Sequence, residues 1–302
     1  MSNLLNSIPS PDINMVQAGP FQIRLYALFI IVGIILAIWV SARRLKARGA
    51  TAGAAVDIAI WAVPFGIIGG RLFHVFTHIS DYFGEGKNWL EIFYVWQGGL
   101  AIYGALILGA VGAWIGAKQS GIRFVSYLDA LAPGLLLAQA VGRWGNYFNQ
   151  ELFGVPTDLP WGLEIAASNP AYPSGLPAGE TFHPAFLYES LWSLLGVFVL
   201  LAIDRKFKPR WGQLFGLYLA YYSFGRIFIE SIRIDPAAII LGLRTNVWSA
   251  ILGLVLGLVI VYLQRKRHPG LENSVYLPGK EPIAEAQPAA TEDSDAVKST
   301  SE

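Results

Sequence analysis

Seven apolar stretches, each close to the length needed to cross lipid, are the feature that most restricts what this 302-residue chain can fold into. The hydrocarbon core of a bilayer is about 30 Å thick, so a spanning helix needs about 20 mostly apolar residues. The stretches lie near 23–40, 56–76, 98–117, 128–148, 185–203, 212–232 and 245–263. The expected fold is therefore all-α, a polytopic integral membrane protein of about seven transmembrane helices. The second, fourth and sixth stretches carry charges and are the least like plain lipid-facing helices.

Charge supports that reading by its placement. The net charge of +1 and the 14% charged residues are low for a globular chain, which carries about 25%. The charges gather in short clusters between apolar runs, which makes nucleic acid a poor partner. Lys and Arg concentrate after the first stretch (Arg43, Arg44, Lys46, Arg48), the third (Lys118, Arg123), the fifth (Arg205, Lys206, Lys208, Arg210) and the seventh (Arg265, Lys266, Arg267). The positive-inside rule then puts those loops and the C terminus in the cytoplasm. The N terminus and the segments 78–97, 149–184 and 233–244 are expected outside. The first 20 residues lack a basic region followed by an apolar one, so no cleavable signal peptide is expected.

Domain organisation follows from composition. Residues 1–268 form the membrane-embedded unit. Within it, 149–184 is rich in Pro, Gly and acids and too long for a bare connection, so a small extracytoplasmic cap is expected. Residues 269–302 are rich in Pro, Ala, Glu and Ser, and are expected to be a disordered cytoplasmic tail. The chain has no cysteine, which excludes thiolate catalysis and thiolate metal sites and leaves any thiol chemistry to a substrate.

Charged groups inside lipid are costly and therefore informative. The segment Gly142-Arg143-Trp144-Gly145-Asn146-Tyr147-Phe148-Asn149-Gln150-Glu151-Leu152-Phe153-Gly154 ends the fourth stretch. Helical spacing puts Arg143, Asn146, Asn149 and Gln150 on one arc. A guanidinium beside amide donors suits a phosphate, because its planar fork keeps its charge when partly desolvated. In the sixth stretch Tyr222, Arg226, Glu230 and Arg233 share a face. Arg226 and Glu230, four residues apart, can also simply neutralise each other. Two arginines against one acid leave a positive surplus that would attract an anionic headgroup. Arg71 and His74 interrupt the second stretch, and buried contacts between helices account for them equally well. Glu189, in the first turn of the fifth stretch, is an acid that requires a partner. His74 and His78 alone do not make a metal site, and no cofactor loop is present.

The Gly142–Gly154 segment resembles the signature of the phosphatidylglycerol:prolipoprotein diacylglyceryl transferase family. The resemblance spans residues 20–265 and includes Pro20-Phe21-Gln22-Ile23-Arg24-Leu25-Tyr26, Gly69-Gly70-Arg71-Leu72, Trp96-Gln97-Gly98-Gly99-Leu100, His183-Pro184 with Leu187-Tyr188-Glu189, and Gly225-Arg226 with Glu230 and Arg233. It implies transfer of the diacylglyceryl group of phosphatidylglycerol to the lipobox cysteine of prolipoprotein signal peptides, in the bacterial plasma membrane and without a cofactor. It further implies that Arg143 and Arg226 grip the lipid phosphate, that Asn146, Glu151 and Gly154 shape that pocket, and that Tyr26, Tyr222, Glu230 and Arg233 line the rest. Many members carry a His where this chain has Tyr103. Imidazole is the natural base near neutral pH and an unperturbed Tyr titrates near 10, so Tyr26, Tyr103 and a neighbouring carboxylate remain alternatives for moving the thiol proton. The rival reading of the intramembrane charges is a secondary transporter or lipid flippase. The absence of an internal repeat and the outward bias of the charges favour an enzyme.

Overall fold

A computed structural model of the chain describes residues 7–18 and 21–282. Pro20, which opens the first-stretch motif, and residues 283–302 of the expected tail lie outside the described residues. Seven long helices account for the seven apolar stretches: α1 (Leu25–Ala47), α2 (Ala54–Thr77), α4 (Ile102–Gln119), α5 (Phe124–Phe148), α6 (Ala185–Phe207), α7 (Gln213–Ser231) and α8 (Thr245–Arg267), with α3 (Ile79–Tyr82) a single turn. Five of them, α1, α2, α5, α6 and α8, are long and apolar enough to cross a membrane. The two helices that fall short of that length and apolarity are α4 and α7. Lys118 and Gln119 fall within α4, and Arg226 and Glu230 within α7.

Several helices outrun their apolar stretches. α1 continues through Arg43, Arg44 and Lys46, α6 through Arg205 and Lys206, and α8 through Arg265, Lys266 and Arg267. Cations are favourable at a helix C terminus, where unpaired carbonyls carry partial negative charge. Hydropathy falls at the membrane edge while the backbone ladder runs on.

Helices pack chiefly in pairs, α2 on α4, α1 on α5 and α7 on α8, with α6 against α5. Glycine sets the first of these contacts. A Cβ on Gly104 would stand 2.1 Å from the Gly69 carbonyl oxygen, and one on Gly69 would stand 2.3 Å from that of Gly104. Small residues give such close approach in lipid, where packing replaces the hydrophobic effect as the driving force between helices.

At one end of the bundle, residues 149–184 form a compact layer. Strands β4 (Gly162–Glu164) and β5 (Thr181–Phe182) pair antiparallel, and β1 (Ser7–Ile8) joins β4 in parallel. Phe153, Leu163, Ile165, Phe182 and Phe186 make its small core. A hairpin, β2 (Met15–Ala18) with β3 (Phe21–Arg24), leads into α1. A second hairpin, β6 (Ile239–Ile240) with β7 (Leu243–Arg244), leads into α8.

At the opposite, basic end the chain departs from expectation. Residues 272–277 of the expected tail are packed against the bundle. Glu272 pairs with Arg48 at 2.5 Å and Arg123 at 3.5 Å, and accepts from the Ser126 hydroxyl. The Arg123 and Leu277 amides donate to the carbonyls of Val275 and Gly121, and the Thr51 amide to the Tyr276 hydroxyl. Val275 and Tyr276 join the core formed by Leu45, Ile58, Ile122 and Tyr127. This strap ties the α1–α2 turn to the α4–α5 turn.

Candidate active site

The end of α5, the start of α6 and the end of α7 converge beneath the 149–184 layer. Gly225 allows α6 and α7 to close, since a Cβ there would lie 2.1 Å from Trp192 Nε1. Gly145 lets α1 approach α5, with Tyr26 Cδ2 only 2.7 Å from where its Cβ would be. These close approaches bring charged residues of three helices together.

Glu189 is the hinge of the constellation. Its Oε2 receives Arg143 Nε at 2.7 Å and its Oε1 receives Arg226 Nη1 at 2.5 Å. The carboxylate is buried, and two arginines from different helices supply the compensation that a buried charge requires. Arg226 reaches on through Nη2 to Glu230 Oε2, at 2.6 Å. Glu230 is fully buried and also takes Arg233 Nη1 at 3.3 Å, Arg244 Nε at 2.9 Å and Asn246 Nδ2 at 2.9 Å. Asp235 closes the chain on Arg233 at 2.7 Å and Arg244 at 3.1 Å. The ion-paired cluster therefore contains four arginines and three carboxylates. It is larger than the two arginines and one acid expected from α7 alone.

The two central arginines differ in how fully they are engaged. Arg226 has both terminal nitrogens on carboxylates. Arg143 spends Nε on Glu189, whereas Nη1 and Nη2 make only long contacts, 3.4 Å each, to Asn146 Oδ1 and the Tyr222 hydroxyl. Its fork is the one with hydrogens to give to an incoming anion. Beside it a narrow recess is lined by Glu189, Trp192, Ser193, Tyr222, Arg226 and Ile229.

Around this centre the signature segment turns back on itself. Asn146 Nδ2 donates to Glu151 Oε1 at 2.8 Å and Asn149 Nδ2 to the same oxygen at 3.3 Å. The turn uses positive φ at Gln150 (50°) and Leu152 (60°). Gln150 faces away from Arg143: its Nε2 donates to the Pro11 carbonyl and its Oε1 accepts from the Ala166 amide. Gly154 acts through its backbone. It bridges Arg233, donates its amide to the His183 carbonyl, and leaves no room for a Cβ, which would lie 2.8 Å from that of His183.

Arg143, Asn146, Glu151, Tyr222, Arg226, Glu230 and Arg233 are thus joined by direct contacts. Tyr26 packs beside them on Gly145. Tyr103 stands apart: on α4, its hydroxyl shares a hydrogen bond of 3.1 Å with Ser249 of α8, and its ring lies 6.3 Å from that of Phe73. Arg71 serves the fold, donating to the carbonyls of Glu91, Ile92, Gly98 and Gly99. His74 stacks on His78 at 4.4 Å. No group of three or more acids and histidines among the described residues is arranged to hold a metal.

Sequence reasoning missed Arg244, Asn246 and Asp235, and left Glu189 without a partner. Arg244 and Asn246 flank the start of an apolar run, where polar residues look like ordinary loop. The signal available was an arginine directly before a spanning stretch on the same side as the other site residues.

The chain matches the family model described as prolipoprotein diacylglyceryl transferase over residues 14–263. It is 51% identical to the phosphatidylglycerol–prolipoprotein diacylglyceryl transferase of Leifsonia xyli, with 97% of this chain and 92% of the relative covered. It is 48% identical to those of Streptomyces griseus, at 93% and 83% coverage, and Rhodococcus jostii, at 95% and 79%.

Proposed function

The chain belongs to the prolipoprotein diacylglyceryl transferase family, and on that premise we propose that it moves the diacylglyceryl group of phosphatidylglycerol onto the lipobox cysteine of prolipoproteins. A sulfur–carbon bond forms at the glycerol carbon bearing the phosphate. The carbon–oxygen bond to phosphate breaks, the thioether stays on the peptide, and glycerol phosphate leaves with the proton the thiol gives up. The observation that carries this reading is Arg143, held by Glu189 through Nε with both terminal nitrogens nearly free.

Each residue then has a task. The Arg143 fork takes the phosphate, and Arg226, locked between Glu189 and Glu230, adds fixed positive charge behind it. Charge accumulates on the leaving phosphate as the bond breaks, so a donor placed beforehand lowers the barrier by about 3–4 kcal/mol. Asn146, Glu151 and Gly154 hold the turn carrying Arg143's neighbours, Tyr222 completes the wall, and Arg233 braces Glu230 behind it. A cysteine thiol with a pKa of about 8.5 is a fair nucleophile once ionised, so a strong base is unnecessary. Tyr26, packed on Gly145, which lies between Arg143 and Asn146 in the sequence, is better placed than Tyr103 to pass on its proton.

In this reading the protein spans the plasma membrane seven times, with α7 packed between α6 and α8 and α4 presenting Leu106, Ile107 and Trp114 outward to lipid. The 149–184 layer and the N terminus lie outside, and the basic ends and the C terminus lie in the cytoplasm. The site sits toward the outer face, where both the lipid headgroup and a translocated lipobox are found. Residues 1–268 carry the chemistry.

The test is transfer of label from phosphatidylglycerol to a lipobox peptide by purified protein, with a Cys-to-Ser peptide as control. Label is expected on the cysteine peptide alone. Arg143→Ala should retain less than about one part in a hundred of the activity. Wild-type turnover in that variant would reject the assignment.

A further inference from the structure

We propose that the first turn of α8 is the positioning element of this site: Arg244 and Asn246 fix Glu230, and through Glu230 they fix Arg226. The inference rests on the reading of Arg143 and Arg226 as the phosphate-binding pair. It is drawn from how Glu230 is held. Both donors to Oε1 come from the start of α8, Arg244 Nε and Asn246 Nδ2, each at 2.9 Å. The ion-pair contacts of Oε2 come from α7 and the residues just after it, Arg226 Nη2 at 2.6 Å and Arg233 Nη1 at 3.3 Å. Only Arg226 among the four lines the recess.

Arg244 is itself delivered and braced. It ends the β6–β7 hairpin, whose turn uses positive φ at Leu241 (51°) and Gly242 (80°), and the Thr245 amide returns to the Ala238 carbonyl. Its Nη1 donates to the Arg233 carbonyl at 3.0 Å and its Nη2 meets Asp235 at 3.1 Å. A guanidinium held at three points cannot swivel, so the position of Oε1 is set by backbone geometry. The contacts run in one line, from Arg244 and Asn246 to Glu230, Arg226, Glu189 and Arg143.

Without the α8 donors, Oε1 is a buried anionic oxygen with no partner, and such an atom seeks one. The nearest donors are the forks of Arg226 and Arg233. Glu230 would rotate to take Arg226 with both oxygens and draw its Nη1 away from Glu189, loosening Arg143 in turn. A purely structural tether between α7 and α8 is already supplied elsewhere. Gly216 and Gly257 face each other so closely that a Cβ on either would lie 2.9 or 2.5 Å from the other's carbonyl oxygen.

The experiment measures kcat and KM for phosphatidylglycerol in the full-length protein, for Arg244→Ala, Arg244→Lys, Asn246→Ala and Arg143→Ala, with thermal unfolding of each. Misplacement of a binding group by about 1 Å costs up to about a hundredfold, so Arg244→Ala and Asn246→Ala should lower kcat by about ten- to a hundredfold. KM should change by less than about threefold, because the interaction lost is one made in the transition state. Lysine at 244 reaches Glu230 but not also Asp235 and the Arg233 carbonyl, and should restore only part of kcat. Wild-type kcat in both alanine variants with an inactive Arg143→Ala would overturn this inference and leave the site reading standing. Full rescue by lysine would overturn it in favour of charge alone. Wild-type turnover in Arg143→Ala would remove the premise, and the inference with it. Should Arg244→Ala not fold, Asn246→Ala, which loses a single hydrogen bond, decides.

Discussion

Replacing Glu272 with Gln should destabilise the protein although the residue lies beyond the last helix and far from the arginine cluster. The carboxylate is 1% exposed between Arg48 and Arg123, whose side chains are 9% and 20% exposed. Glutamine keeps one acceptor oxygen but turns an amide donor toward a guanidinium. Breaking a fully buried pair costs about 3–5 kcal/mol. Because both arginines can partly rehydrate, the cost falls just below that range, about 2–3 kcal/mol. Truncation after His268 removes more, including the apolar burial of Val275 and Tyr276, about 1.5–3 kcal/mol each. The ordering entropy of the strap offsets much of that sum, so the point variant is the cleaner measure. The assay is denaturant unfolding in detergent followed by tryptophan fluorescence, to which Trp211 reports locally, lying 4.2 Å from the ring of His268 and 4.7 Å from the Arg123 guanidinium. If Glu272→Gln and the truncation after His268 both unfold within about 0.5 kcal/mol of the parent, the strap contributes nothing and the reasoning is wrong.

Two other outcomes follow from packing. Gly104→Ala should cost about 1–3 kcal/mol by overpacking α2 against α4. Gly142→Ala, whose Cβ would find only Ile30 Cδ1 at 3.8 Å, should be neutral in the same unfolding measurement. Asp129 accepts the Gly212 and Phe215 amides, at 2.8 and 3.0 Å, and so caps α7 from a neighbouring helix. Asp129→Ala should therefore destabilise by about 2 kcal/mol, and unchanged unfolding would show that those amides find other partners.

How much of this was legible in the sequence depends on what kind of signal each part leaves. Hydropathy located all seven long helices, because an apolar run of spanning length has few alternatives. It misjudged their C-terminal ends, since Arg43 to Lys46 continue a helix that the membrane no longer needs. The arginine cluster was half legible. Arg226, Glu230 and Arg233 declare themselves by helical spacing, and Arg143 by an unusual setting among glycines and amides. The pairing of Glu189 with both Arg143 and Arg226 is a tertiary fact that no spacing encodes. Arg244 and Asn246 were invisible because polar residues at a helix start are commonplace. The strap left one trace, the triplet Val275-Tyr276-Leu277 in an otherwise polar tail, too short to outweigh its composition.

The glycine-locked contact between α2 and α4 has a mechanical consequence. Two helices whose backbones touch at Gly69 and Gly104 move as one bar, as do α7 and α8, which touch at Gly216 and Gly257. Between these bars the described residues place a single α4–α8 hydrogen bond, from Tyr103 to Ser249. On the proposed function, a lipid with two acyl chains has to reach the arginines sideways from the bilayer, and its modified product has to leave the same way. Displacing the α2–α4 bar at that one bond would leave every ion pair from Arg143 to Asp235 in place, since none of those residues belongs to α2 or α4.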